Sequence, residues 1–329
     1  SGCHLSGYGF GCGVSAAVPA IDKGYTCSAL LVPGGGGVTN ITMAWGAVLQ
    51  TAFNTSRALA AADVVTTKLG YWTDNQAYYD WYHWFPNVNR AGAPQDVLLA
   101  LDAELTSKGV AVAYYQLDAY WYGLEIKPGY CVVNWTAVPD QFPHGLSWLA
   151  TKLGKPLLLY TDTFCNDTIY RKEQGGNWTF MDADPIHMSW FDGNVANVIP
   201  EQAFDFYSML MRHGRQTQGM GAFEVDFLDF NFKLYPRFRS EPGAHAGWLK
   251  GMNDAAAAAR ISIQYCMTLP EQLLNSVTLP TVTSTRVSGD GGRPYYHGGP
   301  GQLLAAAVGV RPFKDNAWTA GAFPKGWAD

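Results

Sequence analysis

From Leu69 onward the chain alternates between two hydrophobic periods. Short apolar runs of strand length are separated by longer stretches whose apolar residues recur at helical spacing. The predicted strands cover residues 70–73, 110–117, 156–160, 221–225, 261–265 and 281–285, with a weaker one at 313–319. The predicted helices cover 94–107, 144–152, 200–213, 247–260, 269–275 and 302–308. Strand–helix alternation of this regularity implies parallel β/α units. An open doubly wound sheet satisfies it, but at least five strands run into an acidic or aromatic residue, which favours a closed barrel with its site on the C-terminal face. Six strands and a weak seventh fall short of eight. The expected fold is therefore α/β, a TIM-type (β/α)8 barrel incomplete at its C-terminus.

Residues 1–66 follow neither period and are rich in Gly, Ser and Thr, with a Pro-Gly-Gly-Gly-Gly loop at 33–37. Residues 26–32 and 38–43 read as strands and 45–62 as helical. The expected organisation is a β-rich N-terminal segment and linker over 1–66, the end of a β-sandwich-like module, followed by the barrel over 67–329.

Composition narrows the setting. Of the 329 residues, 48% are hydrophobic and only 15% charged, and the formal charge is −5, so there is no basic surface for nucleic acid. No apolar run approaches the ~18 residues of a membrane span. Asn40, Asn54, Asn134, Asn166 and Asn177 each open an Asn-X-Ser/Thr sequon, which matters only in a glycosylating compartment. Six cysteines are compatible with disulfides. Of these, Cys131 and Cys165 follow successive strands and are expected to bridge two loops. Twelve Trp and 18 Tyr supply faces on which sugar rings stack, and equally supply core material. Together these features predict an extracellular or secretory-pathway glycoprotein.

The candidate chemistry is concentrated in two stretches. Residues 219–231 (Gly-Met-Gly-Ala-Phe-Glu-Val-Asp-Phe-Leu-Asp-Phe-Asn) and 286–290 (Arg-Val-Ser-Gly-Asp) each read as a buried strand that ends in a carboxylate. Carboxylates are costly inside a fold unless paired or hydrogen-bonded. Two at neighbouring strand ends, ~5 Å apart, are what a retaining glycosidase uses as nucleophile and proton donor. Asp290 follows a β-rich run and has Arg286 close by in sequence, although Ser-Gly-Asp-Gly-Gly is also ordinary turn composition. In the first stretch Glu224 and Asp226 share a strand face and Asp229 does not. A strand starting after Gly221 is spent within about five or six residues. This places Asp226 at the barrel mouth and Asp229 in the following loop, where a cap or ion pair is its plain role. Asp74 and Asp118 end earlier strands and are candidates to accept hydrogen bonds from sugar hydroxyls. Trp72 and Trp121 beside them either stack on a sugar or serve as structural aromatics. The seven His are scattered with no metal-binding spacing, and neither a GxSxG elbow nor a phosphate loop is present.

At this point the chain resembles the clan of retaining α-glycosidases that holds α-galactosidases and raffinose-synthase-like proteins. The likeness is carried by Gly70-Tyr-Trp-Thr-Asp-Asn-Gln-Ala-Tyr-Tyr79, by Leu117-Asp-Ala-Tyr-Trp121, and by Asp140-Gln-Phe-Pro-His-Gly145 with the apolar strand that follows. It continues through Cys266-Met-Thr-Leu269, Arg286-Val-Ser-Gly-Asp290 and Pro312-Phe-Lys-Asp-Asn-Ala-Trp318, so it spans about residues 69–320 in order. The resemblance implies a barrel preceded by a β-sandwich, with Asp290 as acid/base. It implies a nucleophile in a Lys-x-Asp pattern, which Glu224-Val-Asp226 fits with Glu in place of Lys. A second register puts Asn231 at that position and would make a dead enzyme. A third, Asp229-Phe-Asn231, is similar to the α-glucosidase branch. Strand length and spacing favour Asp226. The second Asp of the clan's Asp-Asp-x-Trp is Ala119 here, and Glu224 puts an anion where the clan has a cation.

Two functions follow as expectations. The first is an extracellular retaining α-glycosidase or transglycosidase, α-galactosidase-like, acting on an oligosaccharide or glycan. Asp226 and Asp290 would be catalytic, with Trp72, Asp74, Asp118, Trp121, Glu224, Asp229 and Arg286 around the substrate; this chemistry needs no cofactor. The second is an inactive barrel of the same descent, serving as a structural or carbohydrate-binding part of an extracellular assembly. No nucleic-acid partner and no membrane span are expected.

Overall fold

The computed structural model describes residues 2–6, 9–14, 16–26, 28–73, 92–125, 131–184, 194–287 and 299–313. The chain opens on an antiparallel hairpin, β1 (Gly2–Ser6) and β2 (Gly9–Gly13), followed by α1 (Gly37–Ala52), α2 (Ala58–Ala62) and α3 (Val64–Thr67). The parallel units begin with β3 (Gly70–Trp72), α4 (Pro94–Ser107) and β4 (Tyr114–Leu117). A first excursion, β5 (Tyr122–Glu125) and β6 (Cys131–Ala137), precedes α5 (Leu146–Leu153) and β7 (Leu157–Thr161). A second, β8 (Phe164–Cys165), β9 (Phe180–Asp182) and β10 (Val195–Val198), precedes α6 (Ala203–Thr217) and β11 (Met220–Val225). The remainder runs through α7 (Leu228–Leu234), α8 (Pro236–Ser240), α9 (Ala244–Ala259), β12 (Ser262–Tyr265), α10 (Pro270–Asn275), β13 (Val282–Arg286), α11 (Gly299–Ala307) and β14 (Arg311–Phe313).

Seven strands form one parallel sheet in chain order, β3-β4-β7-β11-β12-β13-β14. Six of these are the expected strands; β14 meets the expected 313–319 only at Phe313, and residues 314–319 lie outside the described residues. The sheet curls until its edges face each other, with the Trp72 ring on β3 only 5.3 Å from the Phe313 ring on β14. Among the described residues the two edges do not hydrogen-bond, so the fold is an incomplete (β/α) barrel. Its floor is apolar. Tyr114, Leu158 and Ala222 point inward, and Val64, Val65 and Trp72 pack against them. Asp63 caps α3 through the Val65 N–H and accepts from the Thr283 hydroxyl at 2.6 Å, fixing α3 to β13.

Residues 37–67 depart from expectation. The stretch read as a strand at 38–43 lies within α1, and the described residues of 26–32 form no strand. Val38, Thr39, Ile41 and Thr42 favour strands in isolation, but tertiary packing overrides this weak preference. Ile41, Trp45, Gly46, Leu49 and Gln50 repeat at helical spacing on the less exposed side of α1, which packs on α11. The helices approach so closely at Gly46 that a Cβ there would lie 2.1 Å from the Ala307 carbonyl oxygen. Gln50 donates to that same oxygen at 2.7 Å, and Arg57 donates to the carbonyls of Ser276 and Val308. The segment expected to be a linker is thus packed on the barrel wall.

The second sheet, in order β5-β6-β8-β10-β9, was not anticipated. It combines the excursions that follow β4 and β7, both leaving from the C-terminal side of the barrel. The Cys131–Cys165 disulfide joins β6 to β8 and covalently links the two excursions, as expected for that pair. Phe206 of α6 anchors the sheet to the barrel. Its buried ring makes edge contacts with Phe164, Tyr170, Trp178 and Phe180 at centroid distances of 5.0–5.7 Å.

Candidate active site

Parallel strands deliver the residue after each strand to the same end of the barrel. After β3, β4, β7, β11 and β12 those residues are Thr73, Asp118, Asp162, Asp226 and Cys266, all buried. Strand β11 ends at Val225, so the first residue beyond it is Asp226. Its backbone N–H still donates to the Thr161 carbonyl at 3.1 Å, holding it against β7. The Asp226 carboxylate accepts from the Tyr160 hydroxyl at 2.8 Å and from the Phe227 N–H at 2.6 Å. The second bond requires a sharp turn, and Phe227 takes a left-handed backbone (φ 52°) to make it. Burial, followed by the charges of Asp162 and Asp226, pushes the Tyr160 phenol well above its usual value. It therefore remains a proton donor to Asp226.

A second carboxylate pair lies deeper. The Gln116 amide nitrogen donates to Asp118 at 3.1 Å and to Glu224 at 3.0 Å, so one NH2 group bridges the two acids. The Gln116 oxygen in turn accepts from the Thr73 N–H, and the Thr73 hydroxyl accepts from the Asp118 N–H. Burial, then Asp118, then Asp226 push the Glu224 carboxyl well above its ordinary 4.5, opposed by Gln116 and Arg286. Asp162, held by the Thr163 N–H and hydroxyl, is pushed well above its ordinary 3.8 by burial and by Asp226. Arg286, at the end of β13, is the only buried lysine or arginine among the described residues.

These shifts set a sign for stability against pH. A carboxyl whose folded value is raised contributes stability that is fully present below its unfolded value and is lost as pH rises through the folded one. Replacing Glu224 by Gln keeps an acceptor for Gln116 and removes the buried charge. The Glu224→Gln protein is therefore expected to melt several degrees higher than the parent near neutral pH. The difference should vanish at about pH 4.5, the ordinary value for Glu. Paired thermal melts at the two pH values check this, and a gain of equal size at both would contradict it.

The remaining expected residues are distributed as follows. Asp74 and Asp290 lie outside the described residues. Trp72 is half-buried at the end of β3 and packs against the floor, its indole N–H donating to the Tyr114 hydroxyl at 3.2 Å. Trp121 is a core residue rather than a stacking platform. It is 0% exposed, donates to the Tyr160 carbonyl at 3.2 Å, and meets Tyr122 and Trp135 edge-on. Asp229 falls in the first turn of α7 instead of a loop, ion-paired with Lys233 at 2.8 Å. Asn231, also in α7, accepts from Asn197 at 3.1 Å as part of a buried amide–Trp248 network. Neither alternative register therefore reaches a strand end. Asn40, Asn54, Asn166 and Asn177 are exposed and Asn134 is half-buried. Gln116, Tyr160 and Asp162 were missed as site residues. Their signal was inward strand parity, since Gln116 and Tyr160 each stand two residues before the acid that ends the strand. Among the described residues, no cluster of three or more His, Cys, Asp or Glu is arranged to hold a metal ion, and no helix is long and apolar enough to cross a membrane.

The fold is that of an incomplete (β/α) barrel, and it is similar to the barrels of solved glycosidases. The α-N-acetylgalactosaminidase of Bifidobacterium bifidum superposes with a TM-score of 0.50 at 16% identity over 82% of this chain. The chain covers 48% of that enzyme's length, so it spans about half of it. The α-galactosidase of Lactobacillus brevis matches with a TM-score of 0.44 and 11% identity, over 84% of this chain and 40% of its own. At such identities the first likeness shows the shared fold and nothing finer. No protein-family model and no curated protein matches the sequence.

Proposed function

We propose that this protein is a retaining α-glycosidase or transglycosidase of the α-galactosidase type, with Asp226 as nucleophile and Asp290 as acid/base. The observation that carries the reading is Asp226 itself. It is a buried carboxylate immediately beyond a barrel strand, oriented by Tyr160 and the Phe227 N–H toward the end of the barrel where such enzymes react. In this scheme Asp226 attacks the anomeric carbon while Asp290 protonates the leaving oxygen. Asp290 then deprotonates the incoming water or sugar hydroxyl, which displaces Asp226. In the same scheme Asp118, Arg286, Trp72 and Asp74 contact the substrate. The disulfide and the four exposed sequon asparagines support an extracellular or secretory-pathway setting for a glycan substrate.

Proton NMR of an aryl α-galactoside or α-N-acetylgalactosaminide reaction tests the scheme. The first-formed sugar should be the α-anomer, and a β-anomer would rule out double displacement. One observation favours the second reading, an inactive barrel in an extracellular assembly: Glu224 puts a buried acid where the clan has a lysine, crowding the nucleophile with like charge. Absence of turnover with intact glycan binding is its expected signature.

A further inference from the structure

The catalytic scheme leaves the polar side chains deeper in the barrel without a role. Glu224, Gln264 and Ser284 stand side by side at the same height on β11, β12 and β13. Residues paired in this way on parallel strands share a face, so all three look into the barrel with Glu224. They are only 3%, 1% and 3% exposed. Among the described residues, neither end of the Gln264 amide has a hydrogen-bond partner, nor does the Ser284 hydroxyl. Buried polar groups are ordinarily paired, and leaving them unpaired is costly. A row of acceptors and donors at this depth is suited to a polar group brought in by a ligand.

The charge around that row is one-sided. Asp118, Asp162, Glu224 and Asp226 are four buried carboxyl groups, crowded enough that Asp162 and Glu224 are driven toward their protonated forms, and Arg286 is the only buried lysine or arginine among the described residues to set against them. Gln116 bridges Asp118 and Glu224 with a single neutral NH2 group, which satisfies hydrogen bonds without balancing charge. A neutral hydroxyl would leave that imbalance in place, and an acetamide would add an apolar methyl and no charge. An ammonium offers donors and a full positive charge, and charge-assisted hydrogen bonds to carboxylates are the stronger kind.

Resting on the glycosidase reading, we propose that the substrate is an α-glycoside of an amino sugar with a free ammonium group, which donates to Glu224 and the Gln264 amide oxygen beside Ser284. Nothing covalent is asked of these residues; they select the sugar that Asp226 then attacks.

The test is calorimetric titration of the whole protein, at a pH where the amine is protonated. The ligands are methyl α-galactosaminide and methyl α-glucosaminide, each beside its N-acetyl and hydroxyl counterparts. One free amine should bind at least about tenfold more tightly than its two counterparts. Glu224→Gln should bring that amine down to the affinity of the hydroxyl glycoside, and Gln264→Met should weaken it in part. An N-acetyl or hydroxyl glycoside binding as tightly as the amine would overturn this inference and leave the glycosidase reading intact. Absence of binding by all six would overturn it too, while covalent labelling of Asp226 decides the glycosidase reading separately.

Discussion

Asp226→Ala is expected to lower kcat/KM on an activated α-glycoside by on the order of 10³-fold or more, because the covalent intermediate cannot form without its carboxylate. Sodium azide should restore part of the turnover by entering the space the side chain leaves. Attack from that side would give the β-glycosyl azide. Asp229→Ala serves as the internal comparison. Asp229 lies three residues away, but it sits in α7 and is tied to Lys233, so its loss should change activity by less than about tenfold. Equal losses in the two variants, or no azide product from Asp226→Ala, would remove Asp226 from the nucleophile's position. The comparison is sharp because sequence spacing alone allowed Asp226, Asp229 or Asn231, whereas the end of β11 at Val225 leaves only Asp226 at the mouth.

The largest effect on stability is expected at Phe206. Its ring is fully buried and is the shared contact of Phe164, Tyr170, Trp178, Phe180 and Tyr207. Phe206→Ala removes that ring from a site whose walls belong to the excursion sheet, the segment between β8 and β9, and α6, so they cannot easily close on the cavity. A loss of about 3–5 kcal/mol is expected by denaturant titration. Because these contacts join the excursion sheet to α6, the same variant should become sensitive to proteolysis between β8 and β10 before the barrel unfolds. A loss below about 1 kcal/mol would mean that the excursion sheet does not depend on this anchor.

The parts of the fold legible in the sequence are those in which local pattern and tertiary role agree. The helix at Pro94–Ser107 lies where its spacing, its N-terminal Pro and its Lys-Gly ending put it. The central strands are apolar runs because both of their faces are covered, and the acids that follow them stand where parallel strands must end. The unread parts lack such local support. The excursion sheet brings β6 beside β8 in parallel, across a helix and a barrel strand, and no local signal specifies that pairing. Helix α1 is built from β-branched residues and is decided by its contact with α11 at Gly46. Trp121 looked like a sugar platform because an acid stands three residues before it. The excursion sheet instead folds over it, and the ring becomes core. Glu224 was legible as a departure from the family's pattern. Only the structure supplies Gln116 as its partner and Gln264 as its neighbour.

In the proposed reaction the Asp226 carboxylate, just beyond β11, forms a covalent bond to the substrate's anomeric carbon. Incubation with a mechanism-based α-glycoside inactivator, followed by proteolysis and mass spectrometry, tests it most directly. One sugar adduct per chain is expected, on the peptide containing Phe223-Glu-Val-Asp226 and localised to Asp226. An adduct on Asp118, Asp162 or Glu224, or the absence of any adduct from a protein that turns over the parent glycoside, would contradict it.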